Sequence, residues 1–229
     1  MITKSNVELV KLSLKMFNMQ TYQNKEIVIV TDPGQSRQLY EELNLVGNNE
    51  IVLVNTDNFN YKPTLGELRN LAISSARGEY VCQWDDDDLY HPDRLSVQMR
   101  LLIENHASAC IMNQWIIWWP LKKRFAISNK RYWEGSLLAK KSIIPAYPSI
   151  KRGEDTPVVS EVMRNNKTII IKNPNLYMYV VHGNNTFDED HFELMYKFSA
   201  TRFENESYDA AYRKLRNIFL LDDYPIFSN

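Results

Sequence analysis

Four consecutive aspartates, Asp85, Asp86, Asp87 and Asp88, directly follow residues 80–84, an apolar run with the pattern of a short buried strand. Neighbouring carboxylates repel one another and raise each other's pKa, so a folded chain normally holds such a cluster with a cation, a metal or several hydrogen-bond donors. The alternative is an acidic helix N-terminus favoured by the helix dipole. Four acids at one strand end exceed that need, and we predict a divalent metal that carries a phosphorylated ligand.

Length, composition and charge narrow the class of protein. A chain of 229 residues with 44% hydrophobic residues suits one large domain with a small C-terminal extension. Lys plus Arg (27) balance Asp plus Glu (28), which argues against binding to nucleic acid. Cys82 and Cys110 lie in apolar runs typical of reduced, interior thiols. Without a stretch of about 20 apolar residues or a signal-peptide pattern, we expect a cytoplasmic protein, acting in solution or peripherally at a membrane.

The first half alternates helix and strand patterns, which is typical of a parallel sheet covered by helices. The predicted helices are 7–19, 35–43 and 65–75, and the predicted strands are 26–31, 50–54 and 80–84. Asp32, Asp57 and Asp85 each follow one of these strands. Since ligands of open α/β sheets bind at the carboxyl ends of the strands, we expect these acids to line one crevice.

The second half is less regular. After the aspartates, Pro92 is well placed to begin a helix that runs to about Glu104. Further along we predict strands at 109–113, 116–119, 168–171 and 178–181 and a helix at 155–165, and from about Asp188 a helical segment broken near 205–207.

Residues 80–98, Tyr-Val-Cys-Gln-Trp-Asp-Asp-Asp-Asp-Leu-Tyr-His-Pro-Asp-Arg-Leu-Ser-Val-Gln, resemble the Asp-X-Asp region of family 2 glycosyltransferases with the GT-A fold. The resemblance implies an α/β, Rossmann-like GT-A fold with a mixed, mainly parallel sheet flanked by helices. It implies a catalytic domain over 1–187, with a nucleotide-sugar-binding half (1–105) and an acceptor-binding half (106–187), followed by a helical C-terminal extension (188–229).

By that resemblance, Asp85 and Asp86 lie on the nucleotide side, Asp87 binds the metal and Asp88 is a neighbouring support. The donor's diphosphate is the leaving group, and bound Mn²⁺ or Mg²⁺ would neutralise the charge that develops on it. Carboxylate oxygens suit these hard cations.

Two residues upstream resemble the family's nucleotide contacts. Arg69, in an Arg-Asn pair, would bind the diphosphate or hold the aspartate loop. From the residues alone, a surface helix arginine is the better interpretation. Asp32 corresponds to the family's acid near the nucleobase and ribose, although the usual Asp-Asp-Gly-Ser is here Thr-Asp-Pro-Gly.

Residues 152–157, Arg-Gly-Glu-Asp-Thr-Pro, resemble the family's Glu-Asp motif at the start of a helix. The resemblance makes Asp155 the catalytic base that takes the acceptor's proton, with Glu154 orienting the acceptor or the loop. The residues alone fit an ordinary helix N-cap equally well.

Two later segments complete the expected site. Residues 177–186 resemble a late strand ending in a histidine and an Asn-rich turn, so His182 would complete the metal site or touch the diphosphate, although a single histidine is more often structural. Residues 131–136 resemble the acceptor side, where Trp133 would stack on a sugar, Glu134 would bind hydroxyls and Gly135 would allow close approach. We expect at least one of the nearby Trp115, Trp118 and Trp119 to be core.

The beginning departs from the family, because only six residues precede the first predicted helix and most of the family's first strand is absent. We expect that strand to be truncated. The Gln-X-X-Arg-Trp signature of processive synthases is absent too, which favours addition of a single sugar.

The sequence therefore predicts a metal-dependent, inverting hexosyltransferase. It would use a nucleotide diphosphate donor, most simply a UDP-sugar, and a saccharide, lipid-linked or other hydroxyl acceptor in glycan or glycoconjugate synthesis. One alternative is a non-catalytic nucleotide-sugar-binding relative, and another is a sugar-nucleotide nucleotidyltransferase. The latter is disfavoured because its Gly-rich phosphate loop is not evident in a chain with 7 glycines.

Overall fold

The computed structural model describes residues 1–3, 6–31, 39, 41, 50–57 and 59–225. Within these residues, six α-helices accompany eleven strands. The helices are α1 (Val7–Met19), α2 (Leu65–Ser75), α3 (Arg94–Glu104), α4 (Asp155–Asn165), α5 (Glu189–Lys197) and α6 (Glu206–Phe219). The strands are β1 (Ile27–Thr31), β2 (Ile51–Asn55), β3 (Tyr80–Cys82), β4 (Leu89–Tyr90), β5 (Ala109–Met112), β6 (Ile116–Trp119), β7 (Arg124–Ile127), β8 (Trp133–Lys140), β9 (Thr168–Ile171), β10 (Tyr177–Val180) and β11 (Thr201–Phe203).

The N-terminal half is built on the parallel pair β1 and β2, with Ile27 opposite Ile51. All five residues of β1 are buried, as expected for a strand covered by helices. Helix α2 packs against this pair and begins with a capping box, in which Thr64 and Glu67 satisfy each other's backbone N–H groups. This cap fixes where α2 begins and therefore the position of Arg69, which lies near the start of the helix.

Two further sheets carry the rest of the described strands, in the orders β3-β8-β5-β9 and β11-β7-β6-β10-β4. The pairs β5–β9 and β6–β10 are parallel. Strand β8 lies between β3 and β5 and runs antiparallel to both. Since β4 pairs with β10, the aspartate segment between β3 and β4 connects these two sheets and lies where they meet.

The mixed α/β fold class is confirmed. Of the eight strand pairs among the described residues, three are parallel and five antiparallel, because β8 enters against its neighbours and β6–β7 form a hairpin. At the N-terminus, Met1, Ile2 and Thr3 lie beside β1, where Ile2 forms a parallel bridge with Val30. A three-residue segment thus stands where the sequence predicts a truncated strand.

The predicted helices 7–19, 65–75 and 155–165 are confirmed with the same bounds. The helix after Pro92 is confirmed as α3, which buries Leu95, Met99 and Leu102 as expected for its inward face. Of the predicted helix 35–43, the structure describes only residues 39 and 41, both of which are helical. The C-terminal segment contains α5 and α6, as expected for a helical segment with a break, and the short strand β11 between them was not predicted.

The C-terminal segment packs against the main body. Tyr208 and Phe219 of α6 are buried, and so is Tyr224 beyond it. Trp118 of β6 lies 5.5 Å from the ring of Tyr224. Across the described part of the chain, no helix combines the length and apolar character needed to cross a bilayer.

Candidate active site

The aspartate loop, Asp85 to Asp88, is pinned at both ends by tyrosine hydroxyls. Tyr90 Oη accepts a hydrogen bond from the Asp85 N–H (2.7 Å) and donates to the Asp85 carbonyl (2.9 Å). The Asp88 carboxylate accepts from the Tyr177 hydroxyl and from the Val180 N–H (3.0 Å). Asp88 is therefore a buried anchor that joins the loop to β10, which agrees with the supporting role predicted for it.

Arg94 lies fully buried beneath this loop. Its Nη2 donates to the carbonyl oxygens of Gln83 (3.0 Å) and Gly135 (3.2 Å), and its Nε donates to Gln98 Oε1 (3.1 Å). The guanidinium also lies 4.7 Å from the ring centre of Tyr90. The residue after β3, strand β8 and helix α3 thus hold a buried positive charge close to the start of the aspartate loop.

The acids are nevertheless hard to ionise together. Burial raises the pKa of Asp85, with Asp87 adding to the rise and Arg69 opposing it. Burial and the neighbouring Asp87 raise the pKa of Asp86 to about 7. Burial, followed by Asp87 and Asp85, raises the pKa of Asp88 well above its usual range. The loop therefore holds more carboxylates than its protein surroundings neutralise, which favours binding of a cation.

The raised pKa of Asp86 makes stability depend on pH. Between its usual value of 3.8 and about 7, the folded protein binds the proton more tightly than the unfolded chain does. Stability from this group is fully present below about pH 4 and is lost as the pH rises through 7. We expect the melting temperature without added metal to fall by roughly 5–10 °C between about pH 5 and pH 8.

The matched variants for this prediction are Asp86→Asn, which should flatten the profile, and Glu161→Gln on an exposed position of α4, which should not. Differential scanning fluorimetry across this pH range measures both. A profile for Asp86→Asn as steep as that of the wild type would contradict the assignment.

Asp87 lies beside the buried His182 and is the more open of the two. His182 Nε2 lies 3.1 Å from Asp87 Oδ2, and the Asp87 side chain is 36% exposed. The Asn184 N–H donates to His182 Nδ1 (3.3 Å), so a neutral imidazole in this arrangement carries its proton on Nε2. Tyr224 Oη donates to the Asp87 carbonyl (3.1 Å), which fixes the loop from the C-terminal segment.

These two side chains fit a hard divalent cation that completes its shell with other oxygens. No group of three or more His, Cys, Asp or Glu side chains within the described ranges has the arrangement of a self-sufficient metal site. Mg²⁺ is commonly bound by one or two carboxylates together with substrate phosphates, and Asp87 can supply such an oxygen. Ligation by His182 Nε2 would require its proton to move to Nδ1, at the expense of the Asn184 contact.

Arg69 brings two parts of the chain together. Its Nη1 donates to Gln83 Oε1 (2.9 Å), and Gln83 Nε2 donates in turn to Asp85 Oδ2 (3.1 Å). On the other side, Nη2 lies 3.4 Å from Glu154 Oε1 and Nη1 lies 3.7 Å from Asp155 Oδ2. One guanidinium on α2 thus links the aspartate loop to the beginning of α4.

Glu154 and Asp155 differ in accessibility. The side chain of Glu154 is 5% exposed and that of Asp155 is 25% exposed. Gly153 precedes them with φ of 72°, a conformation that favours glycine and turns the chain into α4. The buried acid is held by Arg69, and the more open one lies at the helix N-terminus, also within 3.7 Å of Arg69.

Two of the three residues predicted on the acceptor side are tied into the protein. Trp133 stacks on Trp115 at 4.5 Å between ring centres, and its buried Nε1 has no hydrogen-bond partner among the described groups. Gly135 is buried, and a Cβ there would lie 3.0 Å from Tyr177 Oη. Glu134 accepts a hydrogen bond from Thr156 Oγ1 (3.3 Å), which places it beside the beginning of α4.

Other predicted residues lie elsewhere. Trp115, Trp118 and Trp119 are all buried in the core, which confirms the expectation for at least one of them. Asp57 is exposed at the end of β2. Asp32 lies outside the described residues, and its predicted nucleotide contact stays a prediction.

Sequence reasoning assigned no role to Arg94, Tyr90, Tyr177 or Tyr224. Arg94 follows Pro92-Asp93, within the segment that carries the family resemblance, so the motif itself could have pointed to it. Tyr224 lies 137 residues from Asp87 in a segment without a recognisable pattern. Only the packing of the C-terminal segment reveals this contact.

Curated relatives match part of the chain. It is 27% identical over 149 residues to the glycosyl transferase WcaA of Escherichia coli (strain K12), whose name assigns it to colanic acid biosynthesis, covering 65% of this chain and 47% of that protein. It is 30% identical over 90 residues to the amylovoran biosynthesis glycosyltransferase AmsB of Erwinia amylovora, covering 39% of this chain and 30% of that one. The chain spans less than half the length of these relatives.

Solved structures share the fold. TarS 1–349 of S. aureus in complex with UDP-GlcNAc superposes with a TM-score of 0.62 at 17% identity, covering 86% of this chain and 64% of that one. The mannosyltransferase PcManGT of Pyrobaculum calidifontis, in complex with GDP-Man and Mn²⁺, superposes with a TM-score of 0.54 at 15% identity, covering 79% and 55%. The family described as Glycosyl transferase family 2 matches residues 2–141, which include the aspartate loop and Arg69. The chain belongs to glycosyl transferase family 2.

Proposed function

We propose that this chain is a metal-dependent, inverting glycosyltransferase that moves a sugar from a nucleotide diphosphate donor to a hydroxyl acceptor. The observation that carries the proposal is the position of Arg69, which contacts Gln83 beside the aspartate loop and lies within 3.7 Å of Asp155. The aspartate loop, suited to a metal-bound diphosphate, therefore lies on one side of the Arg69 guanidinium. Asp155, suited to removing a proton, lies on the other. The comparisons support the donor class, because related folds are complexed with UDP-GlcNAc and with GDP-Man.

On the donor side, Arg69 has the planar donor geometry that fits diphosphate oxygens. In our proposal Asp85 and Asp86 lie towards the nucleoside, which is uridine, and Asp32 is a further contact. Asp87 and His182 would hold Mn²⁺ or Mg²⁺. When bound there, the cation neutralises the charge that develops on the leaving diphosphate.

On the acceptor side, we propose Asp155 as the general base. Its carboxylate takes the proton of the acceptor hydroxyl as that oxygen bonds to the anomeric carbon, and the bond between this carbon and the diphosphate oxygen breaks on the opposite face. Glu154, buried against Arg69, holds the guanidinium and the helix start in position. The burial of Glu154 suits this positioning role, and the greater exposure of Asp155 suits contact with a substrate.

The acceptor in this proposal is a saccharide, lipid-linked or other hydroxyl compound that enters beside α4. Glu134 lies there through its contact with Thr156 and could bind acceptor hydroxyls. Trp133 and Gly135 are packed against Trp115 and Tyr177, so they would shape this wall from behind as much as contact the sugar. We propose that residues 106–187 form the acceptor-binding half.

Equilibrium binding of UDP tests the donor site. We expect Mn²⁺ to tighten UDP binding to the wild type by at least about tenfold, and Asp87→Asn to abolish that gain, because a bridging cation needs the carboxylate. Isothermal titration calorimetry with Mn²⁺ and with EDTA measures it. Glu161→Gln is the control and should behave as the wild type.

Equal UDP affinity with Mn²⁺ and EDTA in the wild type would contradict the metal assignment. Absence of UDP and GDP binding in all conditions would contradict the donor class.

A non-catalytic, nucleotide-binding relative is the second candidate. It is consistent with the complexes of related folds, which concern binding of nucleotide sugars rather than turnover. That candidate predicts metal-dependent UDP binding without turnover of any donor.

A further inference from the structure

Different parts of the protein hold the ends and the middle of the aspartate loop. The backbone at Asp85 is bonded to a tyrosine of β4, and the Asp88 carboxylate is bonded to β10. At Asp87 the contact comes from 137 residues further along the chain, where the Tyr224 hydroxyl donates to the Asp87 carbonyl (3.1 Å). The orientation of this backbone helps to set the direction in which the Asp87 side chain leaves it. Tyr224 therefore acts through the backbone of the residue proposed to bind the metal.

Asp87 depends on how its backbone is held more than Asp88 does. The Asp88 carboxylate is buried and accepts two hydrogen bonds from β10. The Asp87 side chain is 36% exposed, and its carboxylate lies 3.1 Å from His182 Nε2. A half-open side chain with few contacts keeps its direction mainly through the backbone that carries it. The contact from Tyr224 is therefore well placed to control where the Asp87 carboxylate points.

Packing and neighbouring contacts fix the position of the Tyr224 ring. The residue is 4% exposed, and its ring lies edge-on to Trp118 of β6, with ring centres 5.5 Å apart. The short helical turn just before it, Leu221–Asp223, is tied to two helices.

Both acids of this turn are bonded to a helix. The Asp222 carboxylate accepts a hydrogen bond from the Tyr212 hydroxyl of α6 (2.7 Å). The Asp223 carboxylate accepts one from Lys15 Nζ of α1 (2.6 Å). Strand β6 and helices α1 and α6 thus jointly hold the hydroxyl of Tyr224 against the aspartate loop.

The Tyr224 hydroxyl keeps its proton and so remains a hydrogen-bond donor. Burial, followed by the charges of Asp87 and Asp88, raises the pKa of this hydroxyl well above its usual range. A phenolate at this position would lie buried beside carboxylates. The bond to the Asp87 carbonyl is therefore retained across the pH range in which proteins are stable.

We propose that Tyr224 is a positioning residue for metal-dependent nucleotide binding, because its hydroxyl orients the backbone of Asp87 and thereby the carboxylate that would meet the cation. The inference rests on the proposed function, which assigns the cation to Asp87. Supporting contacts must hold such a group within about 0.5 Å of its productive position. The C-terminal segment is then a working part of the donor site, although it lies outside the residues that match the family.

Tyr224→Phe tests the proposal because it removes the hydroxyl and keeps the ring. The matched control is Tyr208→Phe on α6. Tyr208 is also buried, and its hydroxyl accepts a hydrogen bond from Trp118 Nε1 (3.5 Å), away from the aspartate loop. Both substitutions thus remove one buried hydroxyl from the C-terminal segment, and Tyr224→Phe alone removes a contact to Asp87.

Isothermal titration calorimetry of UDP, with Mn²⁺ and with EDTA, measures the effect on the metal. In the wild type, Mn²⁺ should tighten UDP binding by at least about tenfold. In Tyr224→Phe we expect this gain to fall to within about threefold, as for the loss of one hydrogen bond. The affinity in EDTA should stay within about twofold of the wild type, since the nucleotide's own contacts are kept. Tyr208→Phe should retain the whole gain.

Hydrogen exchange of the unliganded protein follows the loop without any nucleotide or metal. We expect the amides of residues 85–88 to exchange about fivefold faster in Tyr224→Phe, because losing a contact to the loop favours its local opening. In Tyr208→Phe these amides should exchange at the wild-type rate.

If Tyr224→Phe does not fold, Asp222→Asn replaces it. Asp222 is exposed and contacts Tyr212 and Arg216, so its substitution loosens the turn before Tyr224. We expect the gain from Mn²⁺ to fall by about two- to threefold in this variant, and an unchanged gain would overturn the proposal.

A Tyr224→Phe variant that keeps the whole gain shown by the wild type would overturn this inference and leave the proposed function intact. Equal loss of UDP affinity with Mn²⁺ and with EDTA would also overturn it, because Tyr224 would then have a general structural role. A wild type that gains nothing from Mn²⁺ would contradict the proposed metal site itself, and with it this inference.

Discussion

Replacing Asp155 with asparagine is expected to lower the kcat of sugar transfer by about 10³-fold, within the range that general acid–base groups contribute. The amide is nearly isosteric but cannot take the proton of the acceptor hydroxyl. Because our proposal puts Asp155 on the acceptor side, the affinity for UDP should stay within about threefold of the wild type. Steady-state kinetics with the donor identified by the panel below, together with calorimetry of UDP, measure both quantities.

Two further variants, one on α4 and one at its N-cap, complete this experiment. Glu161 is exposed, and Glu161→Gln should keep the wild-type kcat. Glu154→Gln should lower both the melting temperature and kcat, because it weakens the buried contact that positions Arg69. An Asp155→Asn enzyme that keeps kcat within about tenfold of the wild type would mean that another group removes the proton.

Replacing Arg94 with methionine is expected to lower the free energy of unfolding by about 3–5 kcal/mol, as for other buried charges whose partners are left behind. The variant leaves the Gln83 and Gly135 carbonyls and the Gln98 side chain without their donor. It also removes the buried positive charge close to the start of the aspartate loop. Urea denaturation followed by tryptophan fluorescence measures the change.

The matched control is Arg124→Met on β7. Arg124 forms ion pairs with Glu193 and Glu204, each of which is more than 40% exposed, and surface pairs contribute about 0–1 kcal/mol. Equal destabilisation by the two substitutions would contradict the role given to Arg94. If Arg94→Met fails to fold, Arg94→Lys gives the same comparison, since lysine keeps the charge but lacks the planar fork.

Helices and strands could be predicted from the sequence wherever one periodic pattern of apolar residues dominated. Helix α1 has apolar residues at helical spacing and α4 begins at an N-cap pattern, so both were predicted with their observed bounds. Strand β8 was missed because Trp133, Glu134, Gly135 and Ser136 do not alternate and look like a loop. Its position between β3 and β5 depends on long-range pairing, which no local pattern encodes.

The candidate site divides in the same way. Asp87, Arg69 and Asp155 were predicted because each lies in a short motif that resembles the family's. Their mutual arrangement was not predictable, since Asp155 lies 86 positions after Arg69 and meets it only in the folded chain.

Some roles also depend on burial, which the sequence only hints at. Trp133 is a residue type that often stacks on a sugar, but here its ring stacks on Trp115. Asp88 has the same residue type as Asp87, yet hydrogen bonds from Tyr177 and Val180 make it a buried anchor. Packing therefore gives adjacent, identical residues different roles.

Hydrolysis of a panel of UDP- and GDP-sugars in the presence of Mn²⁺, comparing the wild type with Asp87→Ala and Asp155→Asn, tests the proposed transfer most directly. We predict slow, metal-dependent release of the nucleoside diphosphate from one donor, lost in Asp87→Ala and sharply reduced in Asp155→Asn. Turnover that is indifferent to Mn²⁺ and to both substitutions would contradict the proposed site. If every donor is inert while UDP still binds with Mn²⁺, the chain is a nucleotide-binding relative and the catalytic proposal is wrong.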